Sequence, residues 1–365
     1  MLFSEVPLSS TIKLKNRVAV APMTTQQSNQ DGTISKAEAD WLTRLSEDGY
    51  GMVVSCAASI SHTATAFYNQ LSLAEDSFIP ALIPVAGEMK RNGSVNIVQL
   101  CHAGSRAIVS LTGQAPASAS SYHLDIPGFV PPATLTTKQI KDIIADFALA
   151  CKRVQQAGFH GVELHGANGY LFTQFISKMT NLRTDEYGGP LENRARFARE
   201  VVTACRQAVP DDFIIGFRLS FENMGPETGL DIDENIRVAN WLAEDGINYM
   251  HSSHLQYDAA SVKYGGEKSI SIIRSGLVPH LPLVAAGSIW CAADAKNALA
   301  LGADIVAVGR AAIGNRYVPQ YFKDGRPLPA HTPYNVEELL KTGISKAFID
   351  YCKNAPPLKS LNIIG

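Results

Sequence analysis

Eight short runs of apolar and often β-branched residues recur along the chain, and longer stretches of helical character separate them. The runs are 17–23 (RVAVAPM), 51–56 (GMVVSC), 95–100 (VNIVQL), 161–165 (GVELH), 213–219 (FIIGFRL), 248–252 (NYMHS), 282–286 (PLVAA) and 304–308 (DIVAV). Several are almost entirely apolar, which is typical of parallel strands that are buried on both faces. Strands that alternate with helices form βα units, and eight such units predict an α/β fold, a single (β/α)8 TIM barrel.

The stretches between the runs predict helices at 35–47, 80–91, 136–157, 191–209, 232–244 and 292–301. The segment 335–353 is expected to form one closing helix, so that residues 1–365 make up a single barrel domain. A doubly wound parallel sheet is the competing fold, but its Gly-x-Gly-x-x-Gly turn does not follow the first run. After the third strand, the irregular residues 101–135 are rich in Ser, Ala, Pro and Gly. We expect them to form a lid or substrate loop at the mouth of the barrel.

The composition excludes several classes of protein. With 46% hydrophobic residues, 18% charged residues and a net charge of −2, the chain can form a large core and has no bias towards nucleic acids or membrane surfaces. The nearest two of the six cysteines, Cys56 and Cys101, are 45 residues apart, which indicates buried thiols rather than zinc, iron–sulfur or disulfide sites. The amino terminus lacks the pattern of a secretory signal, and no apolar stretch approaches the roughly 18 residues that cross a bilayer. We therefore expect a cytoplasmic protein with small-molecule partners, and a homo-oligomer is compatible with the sequence.

Polar side chains stand where the predicted strands end, and in a barrel this edge carries the active site. They are Thr24, Gln99, His165, Asn168, Tyr170 and Arg218, together with the pairs Gly287-Ser288 and Gly309-Arg310. Glycine turns after the last two strands commonly bind phosphate, and Arg310 could clamp the anion, although tight turns and a surface charge would explain the same residues. Arg218 lies inside an apolar strand, so it requires either a carboxylate partner or an anionic ligand.

The end of the fourth strand carries three hydrogen-bonding side chains within six residues, His165, Asn168 and Tyr170. A metal site would need His160 and His165 to share one ion with Glu163, but five strand steps of about 3.3 Å separate the two histidines by about 16 Å, so no metal is expected. The alternative to a metal is that a neutral His165 and the amide of Asn168 donate hydrogen bonds to one substrate oxygen, while the hydroxyl of Tyr170 donates a proton. A lone histidine at the end of a strand is more often structural, so these residues taken by themselves favour a structural role.

One block of sequence resembles a known family. Residues 165–197, HGANGYLFTQFISKMTNLRTDEYGGPLENRARF, look like the signature of the old yellow enzyme family of FMN-dependent ene-reductases. Supporting stretches are 14–24 (LKNRVAVAPMT), 98–104 (VQLCHAG), 214–220 (IIGFRLS), 284–288 (VAAGS) and 305–315 (IVAVGRAAIGN), so the resemblance covers nearly the whole chain. It implies a barrel with tightly bound, non-covalent FMN. NADH or NADPH would reduce the flavin, and the flavin would then reduce an activated alkene or a quinone with ping-pong kinetics.

The resemblance also implies roles for individual residues. Contacts to the flavin ring would come from Ala21, Pro22, Met23, Thr24, Ala57, Gln99 and Arg218, and contacts to its phosphate from Gly287, Ser288, Gly309 and Arg310. His165 and Asn168 would bind the carbonyl oxygen of an α,β-unsaturated substrate, and Tyr170 would protonate its α-carbon as hydride reaches the β-carbon. Gln26 would line the substrate pocket. The family often has an aromatic residue where this chain has Cys101, which predicts a roomier pocket or one that is walled by the loop 110–130.

Two other functions are compatible with a phosphate-binding barrel. A flavin-free aldolase or isomerase would need a Schiff-base lysine or a pair of carboxylates at the strand ends, and none of the predicted strands contains a lysine. A non-catalytic flavin-binding protein would have no use for the acid Tyr170.

Overall fold

Eight parallel strands close into a barrel in the computed structural model, which describes residues 1–125, 128–223, 229–330 and 332–365. In chain order the strands are β1 (Val18–Val20), β2 (Met52–Val54), β3 (Val95–Cys101), β4 (Gly161–Gly166), β5 (Ile214–Leu219), β6 (Tyr249–Ser253), β7 (Leu283–Ala286) and β8 (Ile305–Val308). Strand β8 pairs in parallel with β1, so the sheet closes on itself and leaves no open edge in the ring. The predicted barrel and its eight strands are therefore confirmed.

Helices follow the strands and form the outer layer. Within the described residues they are α1 (Lys36–Glu47), α2 (Ile79–Arg91), α3 (Val109–Thr112), α4 (Thr137–Gln156), α5 (Leu171–Ile176), α6 (Leu191–Ala208), α7 (Ile232–Glu244), α8 (Ser269–Gly276), α9 (Ala292–Ala300), α10 (Arg310–Gly314), α11 (Val318–Asp324), α12 (Val336–Lys341) and α13 (Lys346–Asn354). All six predicted connecting helices are present, and their ends agree with the prediction to within one residue. No helix in the described ranges combines the length and the apolar composition that crossing a bilayer requires.

The barrel interior has an apolar base. An N-terminal hairpin, formed by Val6–Pro7 and Lys13–Leu14, closes this end of the barrel. The side chain of Leu14 packs there with inward-facing strand residues such as Met52 and Ile214. Apolar packing fills the base of the barrel. The polar inward-facing side chains lie nearer the opposite end, where the strands finish.

A polar layer lies above this base, built from strands in register. Glu163 on β4 is paired with Gln99 on β3 and with Gly216 on β5, and Gly216 is paired with Tyr249 on β6. Gly216 is required because a Cβ at this position would lie 2.1 Å from the ring of Tyr249. The missing side chain leaves room for that ring, whose hydroxyl reaches Glu163.

The predicted lid segment, residues 101–135, connects β3 to α4. It contains α3 and a short parallel pair of strands, Ala117–Ser118 and Ala133–Thr134. Gln174 of α5 ties the segment down, because its Oε1 accepts a hydrogen bond from the Ser118 hydroxyl at 2.8 Å. A cavity of about 470 Å³ separates the lid segment from α5. Two residues of the predicted lid, 126 and 127, lie outside the described part of the chain.

The carboxyl-terminal segment differs from the prediction. In place of one helix over 335–353 there are two, α12 and α13, and Gly343 lies between them with a φ of +87°. A left-handed residue of this kind ends a helix. Ser345 then starts the second helix as its N-cap, accepting a hydrogen bond from the backbone N–H of Phe348 at 3.2 Å. The prediction of a single closing helix is therefore wrong.

Candidate active site

The three side chains predicted to do chemistry meet at the end of β4. His165 is 5% exposed, and its ring centroid lies 4.7 Å from that of Tyr170. Burial, reinforced by the positive charge of Arg218, holds the pKa of His165 well below its usual 6.5, so the imidazole is neutral at physiological pH. Burial raises the pKa of Tyr170 above its ordinary value of 10.0, so this phenol keeps its proton. Asn168 lies between them in the chain, with a φ of 59° that turns the backbone sharply.

The amide of Asn168 is oriented by a chain of polar contacts. Arg218 donates from Nη2 to the hydroxyl oxygen of Ser253 at 2.9 Å. With its oxygen occupied in this way, the Ser253 hydroxyl donates in turn to Oδ1 of Asn168 at 3.5 Å. Since the amide oxygen faces Ser253, the NH₂ group of Asn168 is left to donate elsewhere. Asn168 is thus presented as a hydrogen-bond donor.

Arg106 in the lid segment is a functional candidate that the sequence analysis missed. Its guanidinium lies over the ring of Tyr170, 5.1 Å from the centroid, and its Nη1 donates to the backbone oxygen of Asn168 at 2.7 Å. The positive charge of Arg106 also opposes the rise in the pKa of Tyr170. In the sequence it is one more charge in an irregular loop, and only the folding of that loop over β4 brings it to the site.

Tyr351 is a second residue that the sequence analysis did not single out. Burial raises the pKa of its phenol, and a hydrogen bond from the side chain of Thr24 opposes that rise. A negative charge on Tyr351 would also raise the pKa of Tyr170. An aromatic residue on an amphipathic helix such as α13 usually belongs to the core, so its sequence carried no signal of this placement.

The loop after β1 carries the predicted flavin contacts Ala21, Pro22, Met23 and Thr24. Its first residue stays attached to the sheet, because the Ala21 N–H donates to the Val308 carbonyl at 2.9 Å. Met23 faces the start of α10: a Cβ on Gly309 would lie 3.5 Å from the Met23 sulfur. The structure thus brings this loop beside the predicted phosphate turn.

Ala57 and Gln26 flank the same region. The Ala57 carbonyl accepts a hydrogen bond from Nε2 of Gln70 at 2.9 Å. Gln26 has a φ of 53°, and its carbonyl accepts from Nδ2 of Asn69 at 3.4 Å. Ala57 lies in the apolar cluster against which Tyr170 packs. The hydrogen bond between Gln26 and Asn69 does not join Gln26 to the three side chains at the end of β4, and its role in substrate binding stays a prediction.

The turns after β7 and β8 converge on Arg310. Its Nη1 donates to the Ser360 hydroxyl at 2.6 Å, its Nη2 donates to the Ser288 hydroxyl, and its guanidinium lies 5.6 Å from the centroid of the Trp290 ring. Hydroxyl and aromatic groups leave the cation without a compensating negative charge among these contacts. Gly287 has a structural reason to be glycine, because its φ is +148° and a Cβ would lie 2.7 Å from a backbone nitrogen.

Glu163 is the charged centre of the polar layer below the mouth. Its carboxylate is fully buried and accepts hydrogen bonds from Gln99 Nε2 at 2.8 Å, from the Tyr249 hydroxyl at 3.0 Å and from His251 Nδ1 at 2.9 Å. Burial alone would raise the pKa of Glu163, but the charges and hydrogen bonds of His251, Arg218 and Gln99 together lower it. Glu163 is therefore a buried carboxylate whose charge interacts with that of Arg218 inside the barrel.

Two histidines near β4 are structural. His160 precedes the strand, and its Nδ1 accepts a hydrogen bond from the backbone N–H of Asn96 at 3.1 Å. His102 is buried, and its Nδ1 accepts from the N–H of Gly104 at 3.0 Å. Across the described ranges, no three His, Cys, Asp or Glu side chains are arranged to hold a metal ion.

Comparison with known proteins places this geometry in a family. Residues 1–329 match the NADH:flavin oxidoreductase / NADH oxidase family. The chain is 34% identical over 333 residues to a probable NADH-dependent flavin oxidoreductase of Bacillus subtilis, an alignment that covers 89% of this chain and 88% of the relative. It is 31% identical over 330 residues to an NADPH dehydrogenase of Bacillus cytotoxicus, covering 87% of this chain and 91% of the relative.

The fold leads to the same family. An old yellow enzyme homologue from Zymomonas mobilis superposes with a TM-score of 0.81 at 25% sequence identity, covering 96% of this chain and 99% of the homologue. The resemblance identified in the block 165–197 is therefore confirmed. The chain belongs to the NADH:flavin oxidoreductase / NADH oxidase family that includes the old yellow enzymes, and it is an FMN-dependent NAD(P)H oxidoreductase.

Proposed function

We propose that this enzyme reduces alkenes conjugated to a carbonyl group. The observation that carries the proposal is the convergence of three hydrogen donors at the end of β4: a neutral His165, an Asn168 amide turned by Ser253, and a protonated Tyr170. Two donors suit one substrate oxygen, and the third is an acid. Family membership argues against the flavin-free aldolase or isomerase.

The residues at the mouth fit FMN. Arg310, which contacts serine hydroxyls and an aromatic ring, suits a phosphate that accepts two hydrogen bonds from a guanidinium. Gln99 and Arg218 offer an amide and a cation from the barrel interior, which suit the donor and acceptor edge of the flavin pyrimidine ring. When bound, FMN supplies the hydride chemistry that no side chain provides. Ala21, Pro22, Met23, Thr24 and Ala57 would contact the ring, and Gly287, Ser288 and Gly309 would complete the phosphate turn.

His165 and Asn168 polarise the substrate in this proposal. Both donate to the carbonyl oxygen, which draws electron density from the conjugated alkene and stabilises the negative charge that grows on that oxygen as the β-carbon is reduced. His165 does so as a neutral donor, because its pKa lies well below 6.5. A neutral donor has no proton to lose to bulk water at neutral pH, so the polarising group keeps one form throughout turnover.

Tyr170 supplies the proton to the α-carbon. A phenol whose pKa is raised keeps its proton until a carbon of high basicity is presented to it, which is what the polarised substrate becomes. Arg106 lies over the ring face at 5.1 Å and favours the phenolate that results. The same guanidinium holds the Asn168 carbonyl, so the acid and one oxygen donor are positioned by a single side chain.

The substrate pocket has a small side chain beside the acid. Cys101 is fully buried and packs in one cluster with Cys56, Ala57 and Phe67, against which Tyr170 is packed. Burial raises the pKa of the Cys101 thiol, so it stays protonated and uncharged. We propose that this position widens the pocket for bulkier enones, and that Gln26 contributes to its wall.

Steady-state and rapid kinetics test the function. Purified protein should carry the flavin absorbance bands and release FMN on denaturation. Initial rates with NADH or NADPH should give parallel double-reciprocal plots against cyclohexenone, the pattern of a ping-pong reaction. A protein that is reduced by NAD(P)H but turns over none of a panel of enones, enals and maleimides would contradict alkene reduction, and it would favour a flavin-binding protein without this activity.

A further inference from the structure

In the part of the chain that the structure describes, the three hydrogen-bond partners of the buried Glu163 carboxylate are all donors. Gln99 Nε2, the Tyr249 hydroxyl and His251 Nδ1 lie 2.8, 3.0 and 2.9 Å from its two oxygens. An ionised carboxylate can accept hydrogen bonds but cannot donate them. Each partner is therefore held with a hydrogen towards Glu163, and for Gln99 and His251 this fixes the orientation of the remaining polar atom.

Gln99 is the partner for which this orientation matters. A glutamine amide looks nearly the same after a half-turn about its last bond, but its two ends have opposite hydrogen-bonding character. Because Nε2 donates to Oε1 of Glu163, the amide oxygen of Gln99 is presented as an acceptor on the other side. Gln99 is 2% exposed and lies on the inward row of β3, in register with Glu163.

The orientation of the Gln99 amide decides whether it can form a hydrogen bond with the pyrimidine ring of the flavin. Its edge carries one N–H donor, N3–H, between two carbonyl oxygens. An amide oxygen opposite N3–H forms a hydrogen bond, whereas a reversed amide would set two donors against each other and leave a buried group unsatisfied. We propose that Glu163 is a positioning residue of the flavin site: it fixes the Gln99 amide so that its oxygen accepts from N3–H, and it partly neutralises Arg218.

The effect on Arg218 follows from its position in the barrel. Arg218 is paired in register with His165 and His251, one inward-facing row above Glu163, and its charge helps to lower the pKa of the Glu163 carboxyl. The carboxylate therefore weakens the positive potential that Arg218 projects towards the mouth. Removing the negative charge while keeping the shape should favour the more negatively charged, reduced flavin. This inference rests on the proposed placement of Gln99 and Arg218 at the flavin ring.

The test compares Glu163→Gln with a matched control, Tyr249→Phe. The first variant removes the charge and allows either orientation of Gln99. The control deletes a hydrogen bond to the other carboxylate oxygen and leaves the contact to Gln99 intact. Both are assayed for FMN affinity of the apoprotein, for the flavin midpoint potential, and for the N3–H proton signal of ¹⁵N-labelled FMN by NMR.

For Glu163→Gln we expect at least tenfold weaker binding of oxidised FMN, a shifted or exchange-broadened N3–H signal, and a shift of about tenfold in relative affinity towards reduced FMN. That shift raises the midpoint potential by about 30 mV for a two-electron couple. Tyr249→Phe should remain within about threefold of the wild type in both affinities. Wild-type affinity, potential and N3–H signal in Glu163→Gln would overturn the proposal. Equal losses in Tyr249→Phe would overturn it as well, because they would show a general loss of packing.

Glu163→Asp covers the case in which Glu163→Gln does not fold. It keeps the charge but shortens the reach to Gln99, so FMN should bind less tightly while the potential stays close to that of the wild type. In a Gln99→Leu background the aspartate substitution should cost little further affinity, because its effect passes through the missing amide. Additive losses would overturn the proposal. None of these readouts depends on alkene turnover, so failure of the proposed reaction and failure of this inference are distinguishable.

Discussion

Replacing Tyr170 by phenylalanine should remove a proton donor and little else. The phenylalanine ring retains the stacking positions of Tyr170, 4.7 Å from the His165 ring centroid and 5.1 Å from the Arg106 guanidinium. The turn that carries Asn168 is held by Arg106 through a backbone oxygen and does not depend on the phenol. The substitution therefore isolates the hydroxyl group.

The expected loss follows from the role of that hydroxyl. A positioned general acid contributes roughly 10²- to 10⁴-fold to a rate, which corresponds to about 3 to 5 kcal/mol of the barrier. Reduction of the flavin by NADH needs no carbon acid, so its rate should change by less than about threefold, well below the range of a general acid. Reoxidation by cyclohexenone should slow by the full factor. Reoxidation by a quinone, which takes its protons on oxygen and exchanges them freely with water, should be nearly unaffected.

Anaerobic stopped-flow spectroscopy separates these steps through the flavin absorbance near 450 nm, which is lost on reduction and regained on reoxidation. The matched control is Tyr351→Phe, because Tyr351 is a half-buried phenol whose charge would act on Tyr170 and whose own pKa responds to the side chain of Thr24. Equal slowing of both half-reactions in Tyr170→Phe would refute the assignment of a proton donor. A larger loss of enone reoxidation in Tyr351→Phe would transfer that role to Tyr351.

Further predictions concern the oxygen site, the phosphate site and the barrel interior. Replacing His165 and Asn168 together by alanine should abolish the long-wavelength band expected when a phenol binds against the flavin, measured in a spectroscopic titration. Because the pKa of His165 lies well below 6.5, phenol affinity in the wild type should stay flat as the pH rises from about 6 to 8, and a transition near pH 6.5 would contradict the neutral imidazole. Arg310→Gln should weaken FMN binding by about tenfold or more, measured on the apoprotein, with Arg310→Lys in between. Gly216→Ala should lower the free energy of unfolding by roughly 1 to 3 kcal/mol in urea titrations, because its Cβ would lie 2.1 Å from the Tyr249 ring.

The strands and the connecting helices could be predicted because their signals are local. Apolar runs and amphipathic stretches report burial directly, and each of the six helix predictions agrees with the structure to within one residue at either end. The closing segment shows the limit of that logic. Its apolar periodicity continues past Gly343, but the φ of +87° at this glycine breaks the helix in two.

The residues of the site likewise differ in whether the local sequence predicts their placement. His165, Asn168 and Tyr170 follow one strand and could be predicted as a group. Arg106 and Tyr351 reach the mouth from the lid segment and from α13, and their placement depends on packing that no periodicity encodes.

Glu163 could have been recognised from the sequence by a more careful use of strand geometry. It precedes His165 by two residues on a strand, so the two side chains must share a face. Metal-ligand spacing alone does not reveal that arrangement. The register of the strands explains why Gln99 and Arg218 lie near Glu163: β4 lies between β3 and β5, which carry these two residues on the same inward face.

Arg218 shows why the two explanations that the sequence left open for it are not exclusive. Its charge faces the Glu163 carboxylate below, which offsets part of the cost of placing a guanidinium in the barrel. The same charge lowers the pKa of His165, which keeps this imidazole neutral. Through the hydroxyl of Ser253, Arg218 also orients the side-chain amide of Asn168. With a carboxylate partner alone, Arg218 would be one half of an ion pair inside the barrel. It also acts on both proposed hydrogen-bond donors to the substrate oxygen, His165 and Asn168, so it lies at the functional end of the barrel, where an anionic ligand is expected as well.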